Sequence, residues 1–222
     1  DLVRSRGLGD VYKRQVLAGW NGLISAGLIQ AYWSTGEKHI LNLAIRNLEF
    51  IRRKMIKEGV LQRSYKNGTA YTPAFLEDYS AVIRASLMAF EASGNAEWLQ
   101  LAKHLADYCL DEFFDHSDGF FFFNNPKAEK LIADKKEIFD NVIPSSNSVM
   151  ARNLHRLSLF TYEEQYADIA SRMLGGMKEL ILKEPGFLCN WASLLLENVV
   201  PTAEISIVGQ GCLLYTSDAA DE

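Results

Sequence analysis

The chain has 222 residues, 48% of them hydrophobic and 11% aromatic, enough to bury a sizeable core in a single domain. Its formal charge of -5 at pH 7, with no long basic stretch, argues against a phosphate-binding face of the kind nucleic acid requires and favours a neutral or small-molecule ligand. Cys109 and Cys189 lie far apart, with no CxxC and no histidine at ligand spacing; they read as small buried hydrophobes in a reducing, cytoplasmic setting, and no metal or cofactor is expected.

The opening segment 1–15, DLVRSRGLGDVYKRQ, has no apolar period that continues into the neighbouring helix, and neither does 210–222, which holds Cys212. Both read as non-native ends, leaving 16–209 as the domain. Val16 to Thr35 is uncharged, yet Asn21, Gln30 and several glycines make it a buried helix rather than a membrane span. A helix apolar nearly all round must be buried all round, so Gly19 to Trp33 is expected to be an inner helix. Ile40, Leu41, Ala44, Ile45, Leu48 and Ile51 then share one stripe, with Arg46, Glu49, Arg52 and Arg53 off it, as on an outer helix. Leu61 to Tyr71 alternates around Asn67 and Gly68, which predicts a hairpin with a type I′ turn.

Phe75 to Phe90 reads as a second inner helix, with Arg84 its lone arginine. An outer helix comes next, with Trp98, Ala102, Leu105 and Cys109 opposite Lys103, Asp107 and Asp111. Gly119 and the run Phe120 to Phe123 predict a short strand that anchors its loop, with a substrate-stacking platform as the alternative. Asn147 to Phe160 and Tyr162 to Ile181 form a third inner and outer pair. A fourth inner helix begins near Leu188, and Glu204 to Val208 reads as a closing strand.

Repeated pairs of buried and amphipathic helices require a ring of hairpins, because inner helices touch neighbours on every side while outer ones face water. The expected fold class is all-α, a partial α/α toroid with small β-hairpin insertions in the outer-to-inner loops. A four-helix bundle would need every helix amphipathic, and a solenoid a more regular repeat. Inner-to-outer links are short and outer-to-inner links long. Parallel inner helices gather their N-termini and the long loops at one end, where a site belongs.

Polar groups mark that end. Trp20 and Asn21 open the first inner helix as a sugar-stacking indole and a hydroxyl-binding amide; core packing and N-capping are the simpler roles. Glu77, Asp78 and Tyr79 open the second. Asp78 aligns with Phe75, Ala81, Val82 and Ala85, so its carboxylate should enter the ring, and an apolar setting would raise its pKa as a general acid. Glu137 and Asp140 precede Ser145, Asn147 and Ser148 at the third, and either acid could serve as base in glycoside hydrolysis. Capping and surface ion pairing would account for the same residues without chemistry. His39, His104, His116 and His155 avoid every inner first turn, which weighs against imidazole-dependent epimerisation.

The runs VLAGWNGLISAGL, FLEDYSAVIRASL, DGFFFF, KEIFDNVIPSSNSVMARNL and EISIVG, in this order from Val16 to Gly209, resemble the thioredoxin-domain-containing family described as spermatogenesis-associated proteins. The resemblance implies a six-hairpin, glycosidase-like (α/α)6 toroid behind an N-terminal thioredoxin-like domain, of which this chain holds later hairpins. It maps the family's WNG, LEDY, KE and PS.NS motifs onto Trp20 to Gly22, Leu76 to Tyr79, Lys136 and Glu137, and Pro144 to Ser148. Asn141 and Ser146 stand where many members have glycine. The implied function is carbohydrate processing or binding, with a sugar ligand; the alternatives are a non-catalytic interaction module beside the thioredoxin-like domain, or a sugar epimerase.

Overall fold

Three helical hairpins and the first helix of a fourth succeed one another in the computed structural model, which describes residues 15–125 and 135–200. The expectations for 1–14, for the strand from Glu204 to Val208 and for 210–222 lie outside the described residues. Helices α1 (Ala18–Thr35) and α2 (Lys38–Phe50) form the first hairpin, α3 (Leu76–Ser93) and α4 (Ala96–Glu112) the second, α5 (Ser146–Thr161) and α6 (Glu164–Lys183) the third; α7 (Cys189–Val199) comes next. α3 packs between α1 and α5, and α5 meets α7, so the inner helices form an arc backed by α2, α4 and α6. This is a partial α/α toroid. No helix among the described residues is long and apolar enough to cross a membrane.

Burial follows the patterns that built the helices. Outer α4 buries Trp98, Ala102, Leu105, Ala106 and Cys109, one stripe at helical spacing. Inner α3 is buried on nearly every side, from Leu76 through Ala89. Three expectations need correction. α1 leaves Trp20 67%, Ile24 58% and Trp33 46% exposed, because it packs on α2 and α3 and this face lies beyond both. α5 carries Arg152 and Arg156 in its inner position; these charges are tolerated because Glu197 of α7 and Glu91 of α3 pair with them. Cys189 is exposed at the start of α7, while Cys109 is buried as expected.

α1 and α3 approach closely because Gly22 has no side chain. A Cβ there would lie 2.8 Å from the backbone carbon of Ala81. Gly22→Ala is therefore expected to destabilise the protein by about 1–3 kcal/mol through overpacking. Gly27→Ala is the control: it meets nothing within 4 Å, and should gain about 0.5–1 kcal/mol from helix propensity. Urea midpoints of the two variants measure the contrast.

The long loops carry the short strands. β1 (Val16–Leu17) and β2 (Ile56–Lys57) both pair antiparallel with β3 (Val60–Lys66), which turns into β4 (Thr69–Pro73). Asn67 and Gly68 both have positive φ, 51° and 84°, as the predicted type I′ turn requires. This sheet ties the entry of α1 to the exit of α2, which ends in a π-helical turn, Ile51–Met55. β5 (Phe114–Asp115) pairs with β6 (Phe120–Phe121) in the second loop. The phenylalanine run anchors this loop: Phe121 is fully buried, Phe120 meets Trp191 edge-on, and Phe123 packs on Phe75.

Candidate functional site

The first turns of α1, α3 and α5 converge on an open cavity of about 490 Å³. Gly19 and Trp20 line it from α1, Glu77, Asp78 and Arg84 from α3, Ser146 and Val149 from α5, and Ile143 and Pro144 from the loop before α5. A second cavity of about 480 Å³ lies further along the same helices, between Trp33, Met88, Arg152 and Arg156, and shares Arg84 and Val149 with the first. Parallel inner helices thus bring together acids and donors that are far apart in sequence.

Asp78 stands at the centre of the wall and is 2% exposed. Its Oδ2 accepts the Phe75 N–H of its own helix at 3.1 Å, and its Oδ1 accepts the Gly19 N–H of α1 at 2.9 Å. Arg63, reaching from β3, donates through Nη1 to Asp78 Oδ2 and to Glu77 Oε1, both at 2.7 Å. Gly19 permits this contact, since a Cβ there would come within 2.7 Å of Asp78 Oδ1. One carboxylate therefore caps two adjacent helices and neutralises one arginine. Burial raises the Asp78 pKa; Arg63 and the two N–H donors pull against it. Burial also works against the Arg63 charge, but Asp78 and Glu77 more than offset it, and its pKa stands above the usual value. Glu77, its side chain 29% exposed, is the acid with reach into the cavity.

Asp140 repeats the arrangement one hairpin on. Its Oδ1 accepts the Ser145 N–H of α5 at 2.8 Å, and its Oδ2 accepts the Asn190 N–H of α7 at 2.8 Å. This engages both oxygens, and Asp140, the expected base, lines not the cavity of Asp78 but an adjoining opening that shares Ile143 and Pro144 with it. Glu137, the other expected base, pairs with Lys135 at 3.4 Å, its carbonyl accepts from Asn147 Nδ2, and it is not among the residues lining this cavity. Of the four expected carboxylates, Glu77 and Asp78 line the cavity.

Most of the expected sugar-binding residues are hydrogen-bonded within the scaffold. Asn147, fully buried, binds the backbone of Phe121 through Oδ1 (2.8 Å) and Nδ2 (3.0 Å), in the manner of another strand. The Ser145 hydroxyl donates to the Ile138 carbonyl and accepts the Ser148 N–H as the N-cap of α5. Ser148 Oγ accepts from Asn190 Nδ2 at 2.8 Å. Asn21 donates to the Leu17 carbonyl at 2.7 Å, one turn back. Tyr79 is 1% exposed, stacks on Tyr108 and accepts the Leu61 N–H, and its burial pushes its pKa up. Each of the five satisfies a polar group of the scaffold, and none is among the residues lining this cavity. Trp20 is the expected binding residue that remains on its wall.

Two cavity groups, and the arginine behind its acids, carry little or no mark in the sequence. Arg63, which holds Glu77 and Asp78 from β3, gives no signal, since a strand residue finds its partners only through the fold. Arg84 gives one, as the lone arginine beyond the first turn of an otherwise apolar helix. Ser146 sits among polar neighbours that look alike, yet its Oγ is buried without a hydrogen-bond partner among the described residues.

The fold is that of the α/α toroid enzymes. The chain superposes on a GH76 alpha-mannanase of Bacteroides thetaiotaomicron with a TM-score of 0.63 at 16% identity, over 74% of this chain and 45% of that one. It matches the cellobiose 2-epimerase of Spirochaeta thermophila at 0.60 and 16%, over 77% and 44%, and a D-mannose isomerase at 0.58 and 16%, over 72% and 40%. In sequence, the chain is homologous over 182 residues to human spermatogenesis-associated protein 20, at 31% identity across 77% of its length. An uncharacterized protein of Caenorhabditis elegans is 28% identical over the same length. The chain spans 23% of the human protein and 24% of the nematode one. No protein-family model matches it.

Proposed function

We propose that these hairpins form the ligand pocket of a carbohydrate-processing α/α toroid. The observation that carries this reading is the cavity at the gathered helix N-termini, which sets the exposed indole of Trp20 beside the Glu77 carboxylate. An indole face stacks on the apolar face of a pyranose, while carboxylate and guanidinium groups bind its hydroxyls. The sugar activities named for the structural neighbours support the same class of ligand. Glu77 takes the proton-transfer role, because one of its oxygens is bound by Arg63 and the other is not engaged by that bond. Asp78 acts as the positioning residue that holds Arg63 and the two helix starts. The full protein would work beside a thioredoxin-like domain, as the family resemblance implies, and in the cytoplasm, the setting read from its cysteines.

Thermal shift of the full chain against glucose, mannose, cellobiose and mannobiose tests the reading. A ligand that binds only the folded state raises the Tm in proportion to its occupancy. At least one sugar is expected to do so, and Trp20→Ala, a change at an exposed side chain, should weaken that sugar about tenfold. No shift with any sugar would overturn the proposal.

A further inference from the structure

The second cavity has a charge pattern that a neutral sugar does not need. Arg84, Arg152 and Arg156 line it, and among the described residues no carboxylate does. Two of the three are neutralised from behind: Arg152 by Glu197, with Asn190 Oδ1 at 2.9 Å, and Arg156 by Glu91. Arg84 is different. Among the described residues it has no hydrogen bond, ion pair or ring contact, although it is only partly exposed and stands at the junction of the two cavities. Burial, together with the charges of Arg152 and Arg156, lowers its pKa from the usual arginine value, and Glu197 offsets only part of this. The charge is held against both its desolvation and its neighbours.

A guanidinium stays charged at neutral pH, and keeping one partly buried without a counter-ion is unfavourable. Glu197 does not fill that place, because its carboxylate is already paired with Arg152. The second observation is Ser146: it is 2% exposed, it lines the first cavity with Arg84, and its hydroxyl has no partner among the described residues. Two donors without a partner among the described residues therefore border one space, where the acidic lining of the first cavity meets the basic lining of the second.

The geometry points to an anionic sugar as the ligand, with its oxyanion held by Arg84 and directed into the arginine-lined cavity while its ring lies against Trp20 at the mouth. The oxyanion is a carboxylate, as in a uronate, or a phosphate ester; both present oxygens that match the planar fork of an arginine. This orientation leaves the opposite end of the ring beside Glu77, the group assigned to proton transfer. The inference rests on the carbohydrate reading and adds the charge and the orientation of the ligand.

Calorimetry on the full chain tests it with glucuronate, glucose 6-phosphate, glucose and inorganic phosphate. One or both charged sugars should bind about tenfold or more tighter than glucose, the difference expected for a hydrogen bond to a charged group. Which of the two prevails identifies the oxyanion. Arg84→Met should abolish the preference, bringing the charged sugars to the affinity of glucose for the same variant, and Arg84→Lys, which keeps charge and stem, should retain part of it. Circular dichroism and the urea midpoint show that the variants fold. Glucose binding as tightly as the charged sugars would overturn the inference and leave the carbohydrate reading in place. Inorganic phosphate matching glucose 6-phosphate, with no response to glucose, would overturn the sugar and with it this assignment. No binding by any of the four would overturn both.

Discussion

Asp78→Ala should lower the stability of the protein by about 3 kcal/mol, the low end of what breaking a buried ion pair costs. The low end applies because Arg63 keeps Glu77 as a partner at 2.7 Å. The variant also strips the Gly19 and Phe75 N–H groups of their acceptor, and each lost cap is worth about 1 kcal/mol. Asp78→Asn should be little better. The two oxygens face different donors, so whichever position the amide nitrogen takes, it meets an N–H. Urea denaturation of both variants measures the loss, and a midpoint within error of the parent would remove the claim that this acid joins α1 to α3. The outcome also separates positioning from catalysis. A positioning Asp78 lowers stability in both variants together, whereas a catalytic acid would leave Asp78→Asn stable and merely inactive.

The second large effect is at Asp140, at a different junction. Asp140→Ala removes the acceptor for the Ser145 and Asn190 N–H groups and for the nearby Ser148 hydroxyl, at a cost of about 2 kcal/mol. The loss should be local. Hydrogen exchange is expected to speed up in the first turns of α5 and α7 while the start of α1 keeps its protection, the reverse of the pattern in Asp78→Ala. Sugar affinity per folded molecule should not change, because Asp140 lies outside the cavity wall. A variant that keeps its exchange pattern but loses sugar binding would restore Asp140 to the site.

The two aspartates show where reading the chain linearly stops being informative. Asp78 could be assigned to the interior because helix periodicity lines it up with Phe75 and Ala81, and it is indeed buried. Both it and Asp140 also carry a feature that periodicity does not encode, a bond to the first turn of a neighbouring inner helix 59 or 50 residues away. The same holds for Asn147, whose contacts with Phe121 cross 26 residues. Polar side chains at helix starts look alike in sequence whether they face a ligand or a backbone group, because both uses require the same donors and acceptors.

What the residues determined alone was the architecture. Alternating apolar and amphipathic periods dictate inner and outer helices, Asn67–Gly68 dictates its turn, and short and long links set which end collects the loops; each depends on neighbours within about one helical turn or one hairpin. Tertiary structure decided which polar groups were used up by the scaffold and which remained for a ligand. That division depends on distance and desolvation across the arc, where Asp140 finds two amides, Arg152 finds Glu197, and Arg84 finds no partner among the described residues.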